Sequence, residues 1–368
     1  MSVTLQQDDD TYFMEMALAL GRRGMGRTWP NPAVGAVVVK DGLIFGRGWT
    51  QPGGRPHAET EALARAGDSA RSATLYVTLE PCSHQGKTPP CTDAIVASGI
   101  TRVVSAMVDP NPLVAGAGHW RLAQQGIVVE VGIGAEEAAR VHAGHIRRMK
   151  DGRPHVLLKL AVSADEKVGL AGRRPATITG SRTRNRVHLM RAMHDAVLTG
   201  VGTILADDPL LTCRLPGMHS SVRIVLDTTL RLPPTCRLAA SAAQVPLWVL
   251  AGAGAAVERA QVLEAKGIEV LRIKAADGRL DLGAALKLLS ERGITRVMVE
   301  AGPILATALQ RADLVDEVAL FRSPTAIGAE GLDALDGVAL SALTQSPRFK
   351  AVLVEEVGTD MLELYERR

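Results

Sequence analysis

The residues most capable of chemistry lie between His57 and Cys91. His57-Ala58-Glu59 is followed by Glu80-Pro81-Cys82 and then by Cys91. One imidazole and two thiolates make three ligands of a tetrahedral zinc ion, with the fourth position open for water as in a catalytic site. Zinc lowers the pKa of water to about 7, so hydroxide is available at neutral pH. Glu59, two residues beyond the imidazole, can move protons beside the metal without binding it. A structural zinc would need a fourth protein ligand, and His84 could supply one. Eight residues, Ser83 to Pro90, separate the two cysteines.

These side chains need ordered elements to hold them. Residues 11–24 read as an amphipathic helix with Phe13, Met14, Ala17 and Leu18 on one face. Trp29-Pro30-Asn31-Pro32 is a rigid loop. Strands are predicted at 34–39 and 43–49, joined by the hairpin dipeptide Asp41-Gly42. His57 opens a helix running to about Ala66. A strand at 74–79 ends at Glu80-Pro81-Cys82, and Cys91 precedes a helix over 92–98 whose N-terminus favours thiolate at Cys91. Strands at 103–108 and 127–131 and a helix over 135–149 complete this unit. The polar turn Lys150 to Pro154 divides the chain into domains 1–150 and 151–368. Beyond it, strands are predicted at 155–163, 196–199, 223–227, 245–250, 268–273 and 296–300. A helix is predicted at 182–193, with others between the later strands. The adjacent runs 350–356 and 361–365 read as an antiparallel edge. The alternation argues for an α/β chain with mainly parallel sheets.

Composition sets the outer bounds. With 368 residues, 46% apolar and 22% charged, two ordinary globular domains are expected. A net charge of +3 and 3% aromatic residues argue against a nucleic-acid surface and against base stacking. The polar, acidic first ten residues lack the regions of a signal peptide, and no apolar run reaches membrane-spanning length. Four cysteines without a secretory signal predict free thiols in a reducing cytoplasm, not a disulfide framework.

The His-x-Glu…Pro-Cys pattern is similar to that of zinc-dependent base deaminases. Pro30-Asn31-Pro32, the run Val34 to Val39 and the whole segment Glu80 to Cys91 narrow the likeness. Together they resemble the deaminase half of the bifunctional riboflavin-biosynthesis deaminase/reductase family. The long loop between the cysteines is that family's mark and separates it from cytidine and tRNA-adenosine deaminases. The resemblance implies a cytidine-deaminase-like α/β/α domain, a zinc cofactor with ligands His57, Cys82 and Cys91, and Glu59 as acid and base. It also implies a diaminopyrimidinone substrate carrying a ribose 5-phosphate. His84, Lys87 and Thr88 would then supply a cation and donors to the phosphate, and Asn31, with a donor and an acceptor, would read the pyrimidine edge. Thr50 stands where many relatives carry His.

The second domain has no such cluster of ligands. Gly252-Ala253-Gly254 lacks the third glycine of a dinucleotide fingerprint, and Gly200-Val201-Gly202-Thr203 also follows a strand. Glu300-Ala301-Gly302-Pro303 ends a strand and opens a helix, so its N–H groups suit a phosphate; a plain strand–helix turn explains the same residues. Lys159-Leu160-Ala161, Thr199 to Leu211, Arg214, Arg223 to Asp227 and Val299 to Pro303 resemble the family's reductase half. That half is similar to dihydrofolate reductase in fold and uses NADPH. The resemblance implies NADPH contacts at Ala161, Thr177, Thr203, Asp207, Gly302 and Pro303. It places Pro175, Arg191, Leu211, Arg214 and Glu300 on the substrate, the arginines as phosphate partners, with Lys159 or Glu300 assisting proton transfer. Only one of Asp207 and Asp208 is expected to be functional, because Asp-Pro favours turns. Pro175-Ala176-Thr177 replaces the family's Ser-x-Trp, and Cys213 and Cys236 read as ordinary thiols.

The expected activity is thus hydrolytic deamination of 2,5-diamino-6-(5-phosphoribosylamino)pyrimidin-4-one, followed by NADPH-dependent reduction of the ribosyl group to ribityl. The partners expected are this small molecule and a second copy of the chain, a dimer, with neither nucleic acid nor membrane. Two alternatives stay open on sequence alone. One is a nucleic-acid base deaminase, which the low aromaticity disfavours; the other is a non-catalytic C-terminal binding module, favoured only by the altered 175–177 segment.

Overall fold

The Asp41-Gly42 dipeptide seeds the first sheet. Both residues have positive φ, 52° and 74°, as a tight hairpin turn matched to strand twist requires. They join β1 (Gly35–Lys40) to β2 (Leu43–Trp49). The computed structural model describes residues 2–86, 88–170, 177–276 and 278–368, and the chain forms two units, Met1–Gly152 and Arg153–Arg368. In the first unit β3 (Thr74–Val77), β4 (Arg102–Ser105) and β5 (Val128–Val131) complete a sheet of order β2-β1-β3-β4-β5. The pairs β3–β4 and β4–β5 are parallel. The helices are α1 (Ser2–Arg22), α2 (Ala58–Ala66), α3 (Cys91–Ser98), α4 (Ala117–Gln124), α5 (Ala135–Val141) and α6 (Ala143–Asp151).

Side chains alternate between the faces of this sheet as the pleat demands. Ala36, Val38, Leu75, Val77 and Val103 pack with Ala62 and Leu63 of α2, Ile95 of α3 and Leu122 of α4. Val37, Val39, Tyr76 and Val104 pack instead with Phe13, Met14, Ala17 and Leu18 of α1 and Val141 of α5. The result is the α/β/α sandwich that the resemblance implies. Helix α2 lies directly on the backbone of β2. A Cβ at Gly46 would sit 2.0 Å from the Ala62 carbonyl oxygen, and one at Gly48 2.2 Å from that of Ala58. Only glycine allows that approach. The helix expected over 135–149 is two helices meeting at His142. The buried ring of His142 reaches the end of β3, its Nε2 lying 3.1 Å from Thr78 Oγ1.

The second unit is built on one large sheet. Its strands are β6 (His155–Val162), β7 (Lys167–Gly169), β8 (Ala196–Gly200), β9 (Val222–Leu226), β10 (Leu247–Gly252), β11 (Glu269–Ile273), β12 (Ala275–Ala276), β13 (Arg279–Leu280), β14 (Arg296–Glu300), β15 (Glu317–Arg322), β16 (Leu332–Asp333), β17 (Phe349–Val357) and β18 (Asp360–Arg367). The main sheet has the order β11-β10-β9-β8-β14-β6-β15-β18-β17, and two short pairs, β12–β13 and β7–β16, flank it. Pairing is parallel from β11 through β15 and antiparallel at β15–β18 and β18–β17. The tail hairpin is therefore the expected antiparallel edge. β15 has no counterpart in the sequence reading. Val318, Ala319, Leu320 and Phe321 are all buried, so the strand shows no alternation to read. The helices that matter for function are α7 (Ser181–Ala192), α8 (Val201–Asp207), α9 (Arg237–Ala240), α10 (Val257–Glu264), α11 (Leu282–Glu291) and α12 (Pro303–Arg311).

Candidate active sites

In the first unit the end of a strand and the starts of two helices converge. His57 is the extended residue before α2, Glu59 lies in the first turn of α2, and Cys91 is the first residue of α3. Cys82 follows β3 in the loop that leads to α3. The ligand atoms of His57, Cys82 and Cys91 lie within 4.8 Å of one another. His57 Nδ1 is 3.6 Å from Cys82 Sγ and 3.3 Å from Cys91 Sγ. Zinc–sulfur and zinc–nitrogen bonds of about 2.3 and 2.0 Å at tetrahedral angles give an N···S edge of about 3.6 Å. The donor set and its spacing fit zinc.

The charge on the thiols is distributed differently from the sequence expectation. The backbone N–H at the start of α3 donates to Cys82 Sγ, at 3.3 Å, rather than serving its own side chain. The Cys82 thiol is drawn down to about 4, first by the hydrogen bond from the Cys91 side chain and then, against burial, by His57. Cys91 moves the other way, because it donates to Cys82 and is buried. The helix N-terminus thus favours thiolate at Cys82. Binding a metal requires the second proton to leave as well. Glu59 is buried, and burial pushes its carboxyl up against the pull of His57, which suits a group that takes up and returns protons.

Around this cluster, Asn31 Nδ2 donates to the Gly54 carbonyl at 2.7 Å and lies 3.4 Å from His57 Nε2. A Cβ at Gly54, whose φ is +85°, would come within 2.6 Å of that Asn31 nitrogen. His84 and Thr88 are exposed on the loop between the cysteines, and Lys87 lies outside the described residues. Arg55 donates to Thr88 Oγ1. Thr50 is buried and accepts from Val34 N–H at 3.0 Å, so it braces β1. Glu80 is an anchor. Its carboxylate accepts from the N–H groups of Asp109, Gly116 and Gly118 at 3.0, 2.9 and 2.7 Å, tying the 109–118 segment to the cysteine loop.

In the second unit a cavity of about 990 Å³ opens at the C-terminal ends of β6, β8, β9 and β14, where open parallel sheets bind ligands. Lys159, Ala161, Thr177, Thr203, Asp207, Glu300, Gly302 and Pro303 all line it. Gly302 is the residue before α12, and Ile304 and Leu305 of its first turn, whose N–H groups have no partner within the helix, also line the cavity. Lys159 and Glu300 are register partners on adjacent parallel strands. Burial opposes the Glu300 charge, but Arg191 and Lys159 outweigh it and hold the carboxyl below its usual range. Burial pulls the Lys159 ammonium down, with Glu300 opposing.

Two matches with known proteins cover most of the chain. The model of the RibD C-terminal domain matches residues 154–362, and that of the cytidine and deoxycytidylate deaminase zinc-binding region matches residues 7–107. The riboflavin biosynthesis protein RibD of Escherichia coli is 41% identical over 96% of this chain and 98% of its own length. The chain belongs to the RibD family. RibD of Aquifex aeolicus is 40% identical over 97% of this chain and 98% of its own. RibD of Acinetobacter baumannii, a solved structure, is 35% identical with a TM-score of 0.86, covering 98% of this chain and 99% of that one. A Thermotoga maritima structure described as a diaminohydroxyphosphoribosylaminopyrimidine deaminase/5-amino-6-(5-phosphoribosylamino)uracil reductase is 36% identical with a TM-score of 0.85, covering 99% and 100%. As a RibD protein the chain is a bifunctional deaminase and reductase of riboflavin biosynthesis, with zinc and NADPH as cofactors. Its fold is cytidine-deaminase-like followed by dihydrofolate-reductase-like.

Within the RibD reductase unit three of the residues expected at substrate do not line the cavity. Arg191 is committed elsewhere. Its Nε and Nη2 donate to the two Glu300 oxygens at 2.6 and 3.0 Å, and Nη1 donates to the Thr212 carbonyl at 2.9 Å. It holds Glu300 rather than standing ready for a phosphate. The Leu211 side chain is buried in the core with Val197 and Ile204, so only its backbone is available to a ligand. Arg214 is exposed and close enough to feel Arg191 and Glu300. Pro175 lies outside the described residues. Asp207 lines the cavity, whereas Asp208 accepts from Arg237 N–H at 2.9 Å at the start of α9. Of the glycine segments, Gly200 and Gly202 border the cavity and Gly252-Ala253-Gly254 does not. Thr228, Arg231 and Arg279 line the cavity and were not foreseen. Asp227-Thr228, at the end of a predicted strand, carried a readable signal; Arg279, on a two-residue strand, carried none.

Proposed function

We propose that the two sites work in series on one ribosylaminopyrimidine phosphate. His57, Cys82 and Cys91 hold the zinc, which supplies hydroxide at neutral pH by Lewis acidity. Glu59 takes up the proton released as water adds to the amidine-type carbon. It passes that proton to the ring nitrogen, then takes the proton of the adduct's hydroxyl as the carbonyl forms and gives it to the amine, which leaves as ammonia. Asn31, held by Gly54, orients the pyrimidine edge, and binding of the phosphate is assigned to His84, Lys87 and Thr88. In the second unit Ala161, Thr177, Thr203, Asp207, Gly302 and Pro303 seat NADPH, which supplies hydride for the sugar C1. Glu300, fixed by Arg191, orients the polar head of the substrate, with further substrate contacts assigned to Pro175, the Leu211 backbone and Arg214. Lys159, with a lowered pKa and no hydrogen-bond partner among the described residues, delivers the proton.

The observation that carries this reading is the three zinc donors gathered around a buried Glu59, on the chain that also holds the Lys159–Glu300 cavity. The substrate is a small molecule, and the +3 net charge and 3% aromatic content support its not being a nucleic acid. No helix among the described residues is long and apolar enough to cross a membrane. The four free cysteines support a reducing, cytoplasmic setting, and the family resemblance supports a homodimer, which light scattering would test. The decisive assay supplies the diaminopyrimidine phosphate, follows ammonia, then follows NADPH oxidation. Glu59→Gln should cut ammonia release by roughly 10²–10⁴-fold while keeping zinc and leaving reduction of supplied intermediate intact. Ammonia release at the wild-type rate in that variant would refute the assignment of Glu59.

A further inference from the structure

Not every cation of the deaminase unit has a carboxylate partner among the described residues. Arg22, Arg65, Arg102, Arg121, Arg140 and Arg147 each pair with a carboxylate. Arg55 pairs with none among the described residues. It is half-buried, sits two residues before His57, and reaches across 33 residues to Thr88 on the loop between the cysteines. Its second terminal nitrogen lies against that loop's glycine, 3.4 Å from where a Cβ of Gly86 would be. The loop Ser83 to Pro90 contains no acidic residue. Arg55 thus bridges the metal-ligand side of the site to the loop.

The hydrogen-bond direction adds a second point. The Arg55 guanidinium can only donate, so Thr88 Oγ1 accepts from it, and the hydroxyl proton of Thr88 must point elsewhere. A guanidinium with spare N–H groups beside a hydroxyl free to donate is suited to a phosphate monoester, which accepts from several donors at once. We propose that Arg55 is a specificity-determining residue of the deaminase that reads the substrate phosphate together with Thr88. This rests on the proposed role of the inter-cysteine loop as the phosphate site, and it adds a residue from outside that loop.

The test compares the phosphorylated substrate with its dephosphorylated ribosyl analogue, in wild type, Arg55→Gln and Arg55→Lys. Zinc content is measured in each to establish that the site is formed. A charge-assisted hydrogen bond predicts that Arg55→Gln raises KM for the phosphorylated substrate on the order of 10- to 100-fold, with a much smaller change in kcat. The preference for the phosphorylated substrate should collapse by the same factor, and Arg55→Lys should recover part of it. Competitive inhibition by inorganic phosphate should weaken in parallel. If Arg55→Gln lowers kcat/KM equally for both substrates, Arg55 merely clamps the loop and the proposal fails. If wild type prefers the phosphorylated substrate and Arg55→Gln prefers it equally, Arg55 alone is refuted and the loop reading survives. If wild type shows no preference, the loop is not a phosphate site and both fall. Should Arg55→Gln lose zinc, Arg55→Met carries the comparison, and an unchanged KM for the phosphorylated substrate there overturns the proposal.

Discussion

The reductase cavity turns on how three charges share one space. Arg191 grips Glu300 through two hydrogen bonds, and Lys159 stands beside Glu300 on the next strand. A carboxylate fixed this way is a poor proton donor, whereas an ammonium destabilised by burial is a good one. Lys159 must be protonated to donate, and its pKa lies below the ordinary lysine value. Reduction should therefore fall at alkaline pH, with an apparent pKa below the ordinary ~10.4. Lys159→Gln should remove that limb and lower kcat by roughly 10²–10⁴-fold; an unchanged alkaline limb in the variant would exclude Lys159. Glu300 carries a separate expectation. Its folded pKa is depressed, so the stability it contributes is present above the free glutamate value of ~4.3 and is lost as pH falls through the folded value. Replacing Arg191 with Gln leaves that carboxylate buried without its partner and should cost about 3–5 kcal/mol at neutral pH. Urea unfolding at pH 7 and near pH 3 checks it, and the difference between variant and wild type should shrink at the lower pH.

At the scale of elements, the deaminase site is placed by one close contact. Helix α2 carries His57 at its start and Glu59 in its first turn, and α2 rests on the backbone of β2 at Gly46 and Gly48. Gly48→Ala drives a Cβ into the carbonyl of Ala58, so helix and strand must separate. Overpacking of this kind costs about 1–3 kcal/mol, and the displaced His57 should weaken zinc binding. Isothermal titration with zinc and a thermal melt would measure both; wild-type affinity in Gly48→Ala would show that α2 is not held by this contact. The sequence disclosed the elements here because their patterns are local: a hairpin dipeptide, alternating strands and ligands at strand and helix ends. It disclosed less where the determinant is tertiary. Glu80 is visible as part of a motif, but the N–H groups it anchors come from 29 to 39 residues away. Arg191 is visible as an arginine on a helix, yet its partner Glu300 is 109 residues away. The strand Glu317–Arg322 escaped notice because burial on both faces erases the period that marks a strand.

For the whole molecule, the two activities are written into separate stretches of chain. The zinc donors and Glu59 fall between residues 57 and 91, within the unit Met1–Gly152. The reductase cavity is lined by residues from Lys159 to Asp336, within Arg153–Arg368. No zinc donor lines that cavity, and no other group of metal-competent side chains occurs among the described residues. Removing the metal should therefore silence one reaction and spare the other. The holoenzyme treated with a chelator should lose deamination by at least ~10²-fold, because the hydroxide source is gone. Reduction of the supplied deaminated intermediate with NADPH should stay within about twofold of the untreated rate, since sites that share no partners behave additively. Adding zinc back should restore ammonia release without changing NADPH oxidation. If reduction instead declines in step with zinc content and returns with it, the metal supports the second site as well. The assignment of the two chemistries to independent units would then have to be abandoned.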